Sequence, residues 1–561
     1  RTPFVADRAA VADPRAQTVR PDYGFATTGA IRVVNRLDDD APATLEAAIT
    51  GNAAPGARIA FGNANAAAES VSIEGTDIRA TAGVIDVKAV GDVALLNGAT
   101  LAVPSFERSF GDAADRVIVT VANGTVSLLS RSGDLNLAEG TSIAVDDGKG
   151  EAGTLRLLAS GGSIAQNATL NPGVTGQREA NLMFVSGAGI DLSDFIATYG
   201  TAFGGDMMIE AGTGDLALGE DDVLRAQSVL LSAVAGSVIV DGTIDTKGVD
   251  VGTRSLFEAV DLDVNGGDVA LFGQTGVTLG SSALIDTRTT GYHVDDSRVA
   301  SAGDVTIGIG TATGAAITVA SGAVIDTRAT RTEALVGEGL TGHRLITTDA
   351  SDGIGGITTG YLLVEPDKSG DVIFRAPVVN NLVDIRLNGS NPVAGANVVD
   401  VNGNALVSME VEAYKVWDLD TIATTIDGRS TGVTRAADGS LTLAFTDNAQ
   451  TSDGLTRNAA GQVISRNLFA ADYDLGGVQS VANFVRRFDV AAADGSDLSA
   501  MLLRPGFEFR SGNNITMASD WNLAAGSFGI VQPGDGAANP APAAEGKPAP
   551  KPTAPAKTAG K

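Results

Sequence analysis

The chain contains no cysteine, and only two of its 561 residues are histidine. Without cysteine there is no thiol nucleophile, no zinc–thiolate cluster and no disulfide staple. His293 and His343 lie far apart in sequence, and neither HxH nor HExxH spacing occurs, so no metal site is expected. Basic residues are the minority, 39 against 67 acidic ones, giving a net charge of -28. Clustered cations for nucleic-acid binding are therefore missing, and the acidity suits solubility instead. No stretch reaches the roughly 18 apolar residues of a membrane span. Aromatics are scarce, at 5%. The chain begins at Arg1 without a signal-peptide pattern and reads as part of a longer or processed protein, any export signal lying upstream. The absence of cysteine fits an exported chain that stays unfolded in transit.

What is present is aliphatic: the hydrophobic share is 44%, mostly Val, Ile, Leu and Ala, interleaved with 70 glycines. That is too apolar for simple disorder and suits a thin core of stacked aliphatic side chains. Short alternating runs such as Val71-Ser72-Ile73, Val93-Ala94-Leu95, Val117-Ile118-Val119-Thr120-Val121 and Val238-Ile239-Val240 read as strands. Gly-Asp followed by an aliphatic alternation recurs at Gly91-Asp92, Gly133-Asp134, Gly214-Asp215, Gly267-Asp268, Gly303-Asp304 and Gly370-Asp371. Glycine supplies a tight corner, and Asp bonds the amides that follow. A second repeat, Ile244-Asp245-Thr246-Lys247, returns as Ile285-Asp286-Thr287-Arg288 and Ile325-Asp326-Thr327-Arg328. Its period of about 40 residues predicts two coils of roughly 20 residues each.

Short strands joined by corners too tight for helices cannot form βαβ crossovers, and one coil cannot bury a core alone. The expected fold is all-β: a right-handed parallel β-helix of roughly twenty coils, near 100 Å long at about 4.8 Å per coil. The predicted layout is an irregular segment 1–56 and a β-helix over 57–420, with insertions at 248–266, 289–302 and 329–352. Further coils and a cap over 421–530 follow, then a disordered Pro/Ala/Lys-rich tail over 531–561. Val478–Val490 is the best candidate for a short helix. The aromatic group Tyr414, Trp417, Phe484, Phe488, Phe507, Phe509 and Trp521 reads as a cap on the last coils.

Three stretches are more specific. Gly370–Pro377 (GDVIFRAP), Val411–Leu419 (VEAYKVWDL) and Leu503–Leu523, with its LRPGFEFRSG and ITMASDWNL, resemble the large filamentous haemagglutinin-like exoproteins of proteobacteria. This resemblance implies two-partner secretion through an outer-membrane transporter pore, a place outside the cell or on the Gram-negative surface, and a role in adhesion or biofilm. The family's N-terminal secretion domain is not recognisable in the chain.

Function is expected to be that of a non-catalytic filament or adhesin segment, with no cofactor. Two alternatives stand beside it: a polysaccharide-degrading β-helix with a carboxylate-lined face, and a matrix or sheath protomer that self-assembles into fibres. Asp245, Asp286 and Asp326 are the carboxylates for the enzymatic alternative; two coils apart, they would sit about 9 to 10 Å from one another, at the wide end of glycosidase geometry. The simpler expectation is a structural corner with an Asp–Arg ladder. Insertions at equivalent positions of a solenoid emerge on one face, often the binding face. The candidate partner-binding residues are accordingly Tyr292, His293, Asp295, Asp296, Arg298, His343 and Arg344, for a host or neighbouring-cell glycan or protein. The acidic pairs Asp146-Asp147, Asp221-Asp222 and Asp295-Asp296 invite a Ca²⁺ reading but lack an EF-hand or GGxGxD frame, and Gly353–Gly360 reads as a corner, not a phosphate loop.

Overall fold

The computed structural model describes residues 22–25, 27, 29–34, 43–46, 56–62, 68–110, 117–147, 152–171, 180–200, 203–248, 265–289 and 301–329. Beyond these it describes 344–351, 357–364, 369–379, 382–388, 393–394, 409–421, 425–426, 429–430, 433–443, 455–457, 463–466, 501–517 and 527–531. The expected helix at 478–490, the tail after 531 and every candidate binding residue except Arg344 lie outside them.

The chain is a parallel β-helix. One long 15-stranded sheet runs its length, beginning with Asp22–Phe25, Arg58–Phe61, Val84–Ala89 and Thr125–Ser130 and ending with Met409–Asp418, Leu502–Arg510 and Ser527–Val531. Most turns leave this sheet, contribute a short strand to a second and then a third parallel sheet, and return. One such coil is Val84–Ala89, Val93–Leu96 and Thr100–Ala102. Alternation inside each strand decides what goes in: Val126, Leu128, Leu155, Leu157, Leu182 and Phe184 point into the core, and the residues between them face out. One continuous aliphatic core follows from the first described coils to Val411 and Ala413.

The chain joins this stack earlier than expected. The segment 1–56, read as irregular, supplies Asp22–Phe25, Ile31–Val34 and Ala43–Glu46, each paired in parallel with the next coil. Among the described residues the coil count is lower than twenty: fourteen strands follow one another along the long sheet, which at about 4.8 Å per step gives a stack of roughly 60 Å. Coils are also longer and less equal than the 20 residues predicted. In one column of the long sheet the sequence step is 22 residues from Asp206 to Ser228, 36 from Asp268 to Asp304 and 67 from Asp304 to Asp371. Insertions lengthen the turns without disturbing the register.

Midway, a helix replaces the second and third strands of one turn. Leu192–Tyr199 is capped by Asp191, whose carboxylate accepts the backbone N–H of Ser193 (2.9 Å) and Asp194 (3.2 Å). Its apolar face carries Leu192, Phe195 and Tyr199 inward, where Phe195 and Tyr199 meet Phe184 of the long sheet at 5.2 and 5.4 Å between rings. This turn separates the second and third sheets of the first half from those of the second half, which open with Leu216–Leu218 and Val223–Arg225.

The Gly-Asp step occupies two different corners. At Gly91, Gly133 and Gly214 it follows a strand of the long sheet; at Gly267, Gly303 and Gly370 it precedes one. In both, an Asp carboxylate accepts the backbone N–H one coil further on, as from Asp134 to Asp92 (2.9 Å) and from Asp304 to Asp268 (2.8 Å). Glycine is required where coils touch backbone to backbone: a Cβ on Gly303 would lie 2.0 Å from the Gly267 carbonyl oxygen, and one on Gly370 equally close to that of Gly303.

Candidate functional site: a loop-bearing corner

The Ile-Asp-Thr repeat marks the site. Thr243–Asp245, Leu284–Asp286 and Val324–Asp326 are neighbouring strands of the third sheet, with Asp245, Asp286 and Asp326 in direct register. They stand one coil apart, not two, because each 40-residue period is a single coil carrying an insertion. The step between successive carboxylates is therefore about 4.8 Å and not 9 to 10 Å.

Each carboxylate is engaged. The three Asp residues are 4%, 3% and 6% exposed, and a zipper of cations runs over them. Arg225 binds Asp245 at 2.9 Å, and Lys247 reaches both Asp245 (3.2 Å) and Asp286 (3.9 Å). Arg288 binds Asp286 through two nitrogens (2.8 and 2.7 Å) and spans to Asp326 (3.5 Å), while Arg328 binds Asp326 in the same forked way. Each strand ends at its Asp, and the cation two positions on, just past the strand, reaches back to that carboxylate. Burial pushes the Asp286 carboxyl up, but the Arg288 hydrogen bonds and charge, with Lys247 beside it, hold it below the usual carboxylate range.

The threonine between Asp and cation closes the base of each insertion. Thr246 Oγ1 donates to the Gly267 carbonyl (2.7 Å), Thr287 Oγ1 to that of Gly303 (2.8 Å) and Thr327 Oγ1 to that of Gly370 (2.9 Å). The glycine N–H groups return the bond to the threonine carbonyls at 2.8, 3.0 and 2.9 Å. The clasp is the same although the enclosed segments differ, spanning 21, 16 and 43 residues between clasp partners. Successive bases are tied as well: Gly266 N–H donates to the Ser301 carbonyl (2.9 Å), and Ser301 N–H to Asn265 Oδ1 (2.9 Å). The three predicted insertions thus leave from one corner of three consecutive coils. The third extends past 352: it holds an antiparallel hairpin of Arg344–Ser351 and Ile357–Val364 and ends at the Gly370 clasp. Gly353–Gly360, expected to be a corner, contributes its last four residues to that hairpin. Arg344 opens the hairpin's first strand; Tyr292, His293, Asp295, Asp296, Arg298 and His343 belong to the segments above the clasps and outside the described residues.

An insertion in the first half was missed. Val117–Val121, read as a strand among those of the coils, pairs antiparallel with Phe106–Phe110 in a hairpin between the third-sheet strand Thr100–Ala102 and the long-sheet strand Thr125–Ser130. This is the topologically equivalent corner. Asp146 and Asp147 hold its base: Ser105 Oγ donates to Asp147 (2.8 Å) and Asn123 Nδ2 to Asp146 (3.1 Å). Asp222 of another acidic pair accepts the Ser193 hydroxyl (2.6 Å) and the Gly219 N–H (3.0 Å). Among the described residues no group of three or more His, Cys, Asp or Glu is placed to hold a metal ion.

The three motif stretches singled out in the sequence become consecutive strands of the long sheet, Val372–Val379, Met409–Asp418 and Leu502–Arg510. Their charged residues form one network on its outer face. Arg375 pairs with Glu412 (3.2 Å) and Glu508, and its guanidinium lies 4.2 Å from the centre of the Tyr414 ring. The Tyr414 hydroxyl donates to the Ile309 carbonyl (2.7 Å), and Arg510 donates to Thr311 Oγ1 (2.8 Å). Burial pushes the Arg375 guanidinium down, but the Glu508 and Glu412 charges outweigh it; burial pushes the Tyr414 phenol up. Tyr414, expected in a terminal cap, instead ties coils together from outside the core. Comparison with family profiles, curated proteins and solved structures finds no match for the chain.

Proposed function

We propose that this chain is a non-catalytic segment of a secreted or surface-exposed filament, in which the β-helix is a rigid spacer and the loop-bearing corner is the edge that binds. The observation that carries this reading is the shared clasp: three insertions of unequal length rise from one corner of three consecutive coils. Such a base lets segments vary without cost to the core, the arrangement in which solenoids present binding surfaces. A glycan or protein of a host or neighbouring cell is the proposed partner, and export through an outer-membrane pore is proposed from the sequence resemblance alone. The catalytic alternative draws no support from Asp245, Asp286 and Asp326, which are buried and ion-paired.

Replacing 249–264, 290–300 and 330–343, singly and together, by short Gly-Ser turns tests the reading. Thermal stability and strand content should stay near those of the intact chain, while attachment to cells or immobilised glycans falls at least tenfold in the combined variant. Undiminished attachment would overturn the assignment of the binding edge. Release of reducing sugar from a polysaccharide panel, lost in Asp286→Asn, would overturn the non-catalytic reading.

A further inference from the structure

The hairpin of the first half carries a second and different surface. Ile118 is 54% exposed and Val119 46% exposed. Adjacent strand residues point to opposite faces, so neither face of the hairpin is covered at this point. Phe106–Phe110 takes one edge of Val117–Val121, and among the described residues no strand pairs with its other edge. All five residues of that strand are β-branched and none is charged, glycine or proline. Soluble proteins guard such edges with charge, bulge or proline; this one is bare. It is also held out firmly, because Asp146 and Asp147 of the next coil fasten both ends of its base.

We propose that the Val117–Val121 edge pairs with the same edge of a second copy, antiparallel, about a two-fold axis through Val119. The occupant follows from the sequence of the strand. Centred on Val119, antiparallel pairing sets valine against valine at the middle and at both ends, and Ile118 against Thr120 between them. Every cross-strand pair is then β-branched, the kind that stabilises a ladder, and the two-fold contact closes on itself without propagating. Charge limits where two copies can meet. With a net charge of -28 per chain, two copies repel at long range, and contact is tolerated best through a strand that carries no charge of its own. The paired strip is small beside the roughly 1,200 Å² of a stable specific interface, so the dimer is weak and gains strength where many copies are displayed side by side. This contact is separate from the loop-bearing corner of the second half and does not depend on the binding function proposed for it.

Sedimentation velocity of the intact chain should show a reversible monomer–dimer equilibrium. The dimer should tighten as ionic strength rises past roughly 0.15 M, where the screening length falls below about 8 Å. Val119→Lys should leave a monomer at the same loading with an unchanged circular dichroism spectrum. The chain holds no cysteine, so Val119→Cys carries a single thiol. It should oxidise to a covalent dimer at least tenfold faster than Val234→Cys, whose parent valine is 48% exposed away from the hairpin. A wild-type chain that stays monomeric at all concentrations, a dimer that weakens with salt, or equal oxidation rates for the two cysteine variants would each overturn the proposal.

Discussion

At the scale of the residue, the buried charges decide most of what is measurable. Asp286 is the middle of the ladder, bound by Arg288 and approached by Lys247. Asp286→Ala leaves Arg288 without its nearest carboxylate and Lys247 without the second of its two. A fully buried pair broken this way costs about 3–5 kcal/mol; since Arg288 is partly solvated, a loss of about 1–3 kcal/mol in unfolding free energy is expected. Its folded-state carboxyl is depressed, so its contribution is present above the ordinary Asp value of about 4 and is lost as pH falls through the folded value. The gap between wild type and Asp286→Ala should therefore narrow below about pH 4 in a pH series of thermal melts. Glu210 works in the opposite sense. It faces outward between Val185 and Ser232 yet is buried, and Oε2 has no hydrogen-bond partner. Burial raises its pKa, against a hydrogen bond from Ser232, so its contribution is present below the ordinary Glu value and lost as pH rises through the folded one. Glu210→Gln should stabilise the fold by about 1 kcal/mol at pH 7 and give no advantage below about pH 4. The Asp–Arg pairing was legible because its members are only two positions apart in the chain. The Arg375–Glu508 and Tyr414–Ile309 contacts were not, because their partners lie 133 and 105 positions away.

At the scale of the element, strands were legible and their bookkeeping was not. Alternation marked Val71–Glu74, Val93–Leu96 and Ser237–Val240 correctly, since a strand with one buried face must alternate. The same signal did not separate Val117–Val121 from the strands of the coils, because one β-branched strand of an inserted hairpin looks identical in one dimension. The Ile-Asp-Thr period was read as two coils when it is one coil plus an insertion; nothing in a repeat length separates these. The helix Leu192–Tyr199 went unread although Asp191 stands at its N-cap and Leu192, Phe195, Ile196 and Tyr199 follow helical spacing. Eight residues are too few for periodicity to stand out against the strand texture around them. Two substitutions test how this turn is held. Asp191→Ala removes the acceptor for two first-turn amides and should cost about 1 kcal/mol. Tyr199→Phe should be neutral or slightly stabilising, because the buried hydroxyl has no hydrogen-bond partner to lose. Denaturant melts of the two variants would distinguish a turn held by its cap from one held by the Tyr199 hydroxyl.

At the scale of the whole molecule, the parallel β-helix was legible from glycine corners and aliphatic alternation repeated at register-like spacing, the pattern of strands too short for βαβ crossovers that wind as stacked coils. Its length was not. Dividing the chain by a minimal coil overcounts turns whenever residues are spent outside the stack, and here the segments between Thr246 and Gly267, Thr287 and Gly303, and Thr327 and Gly370 add no height. Height is set by the long sheet, at one strand per coil, so the fourteen consecutive strands among the described residues give roughly 60 Å. Small-angle scattering separates the two lengths in a way that also isolates the insertions. Shortening all three should thin the cross-section of the second half while leaving the stacked length near 60 Å, because every clasp still returns the chain to the same register. A stack that shortens in proportion to the residues removed would mean that those segments are coils, and the shared base of the loop-bearing corner would be lost with them.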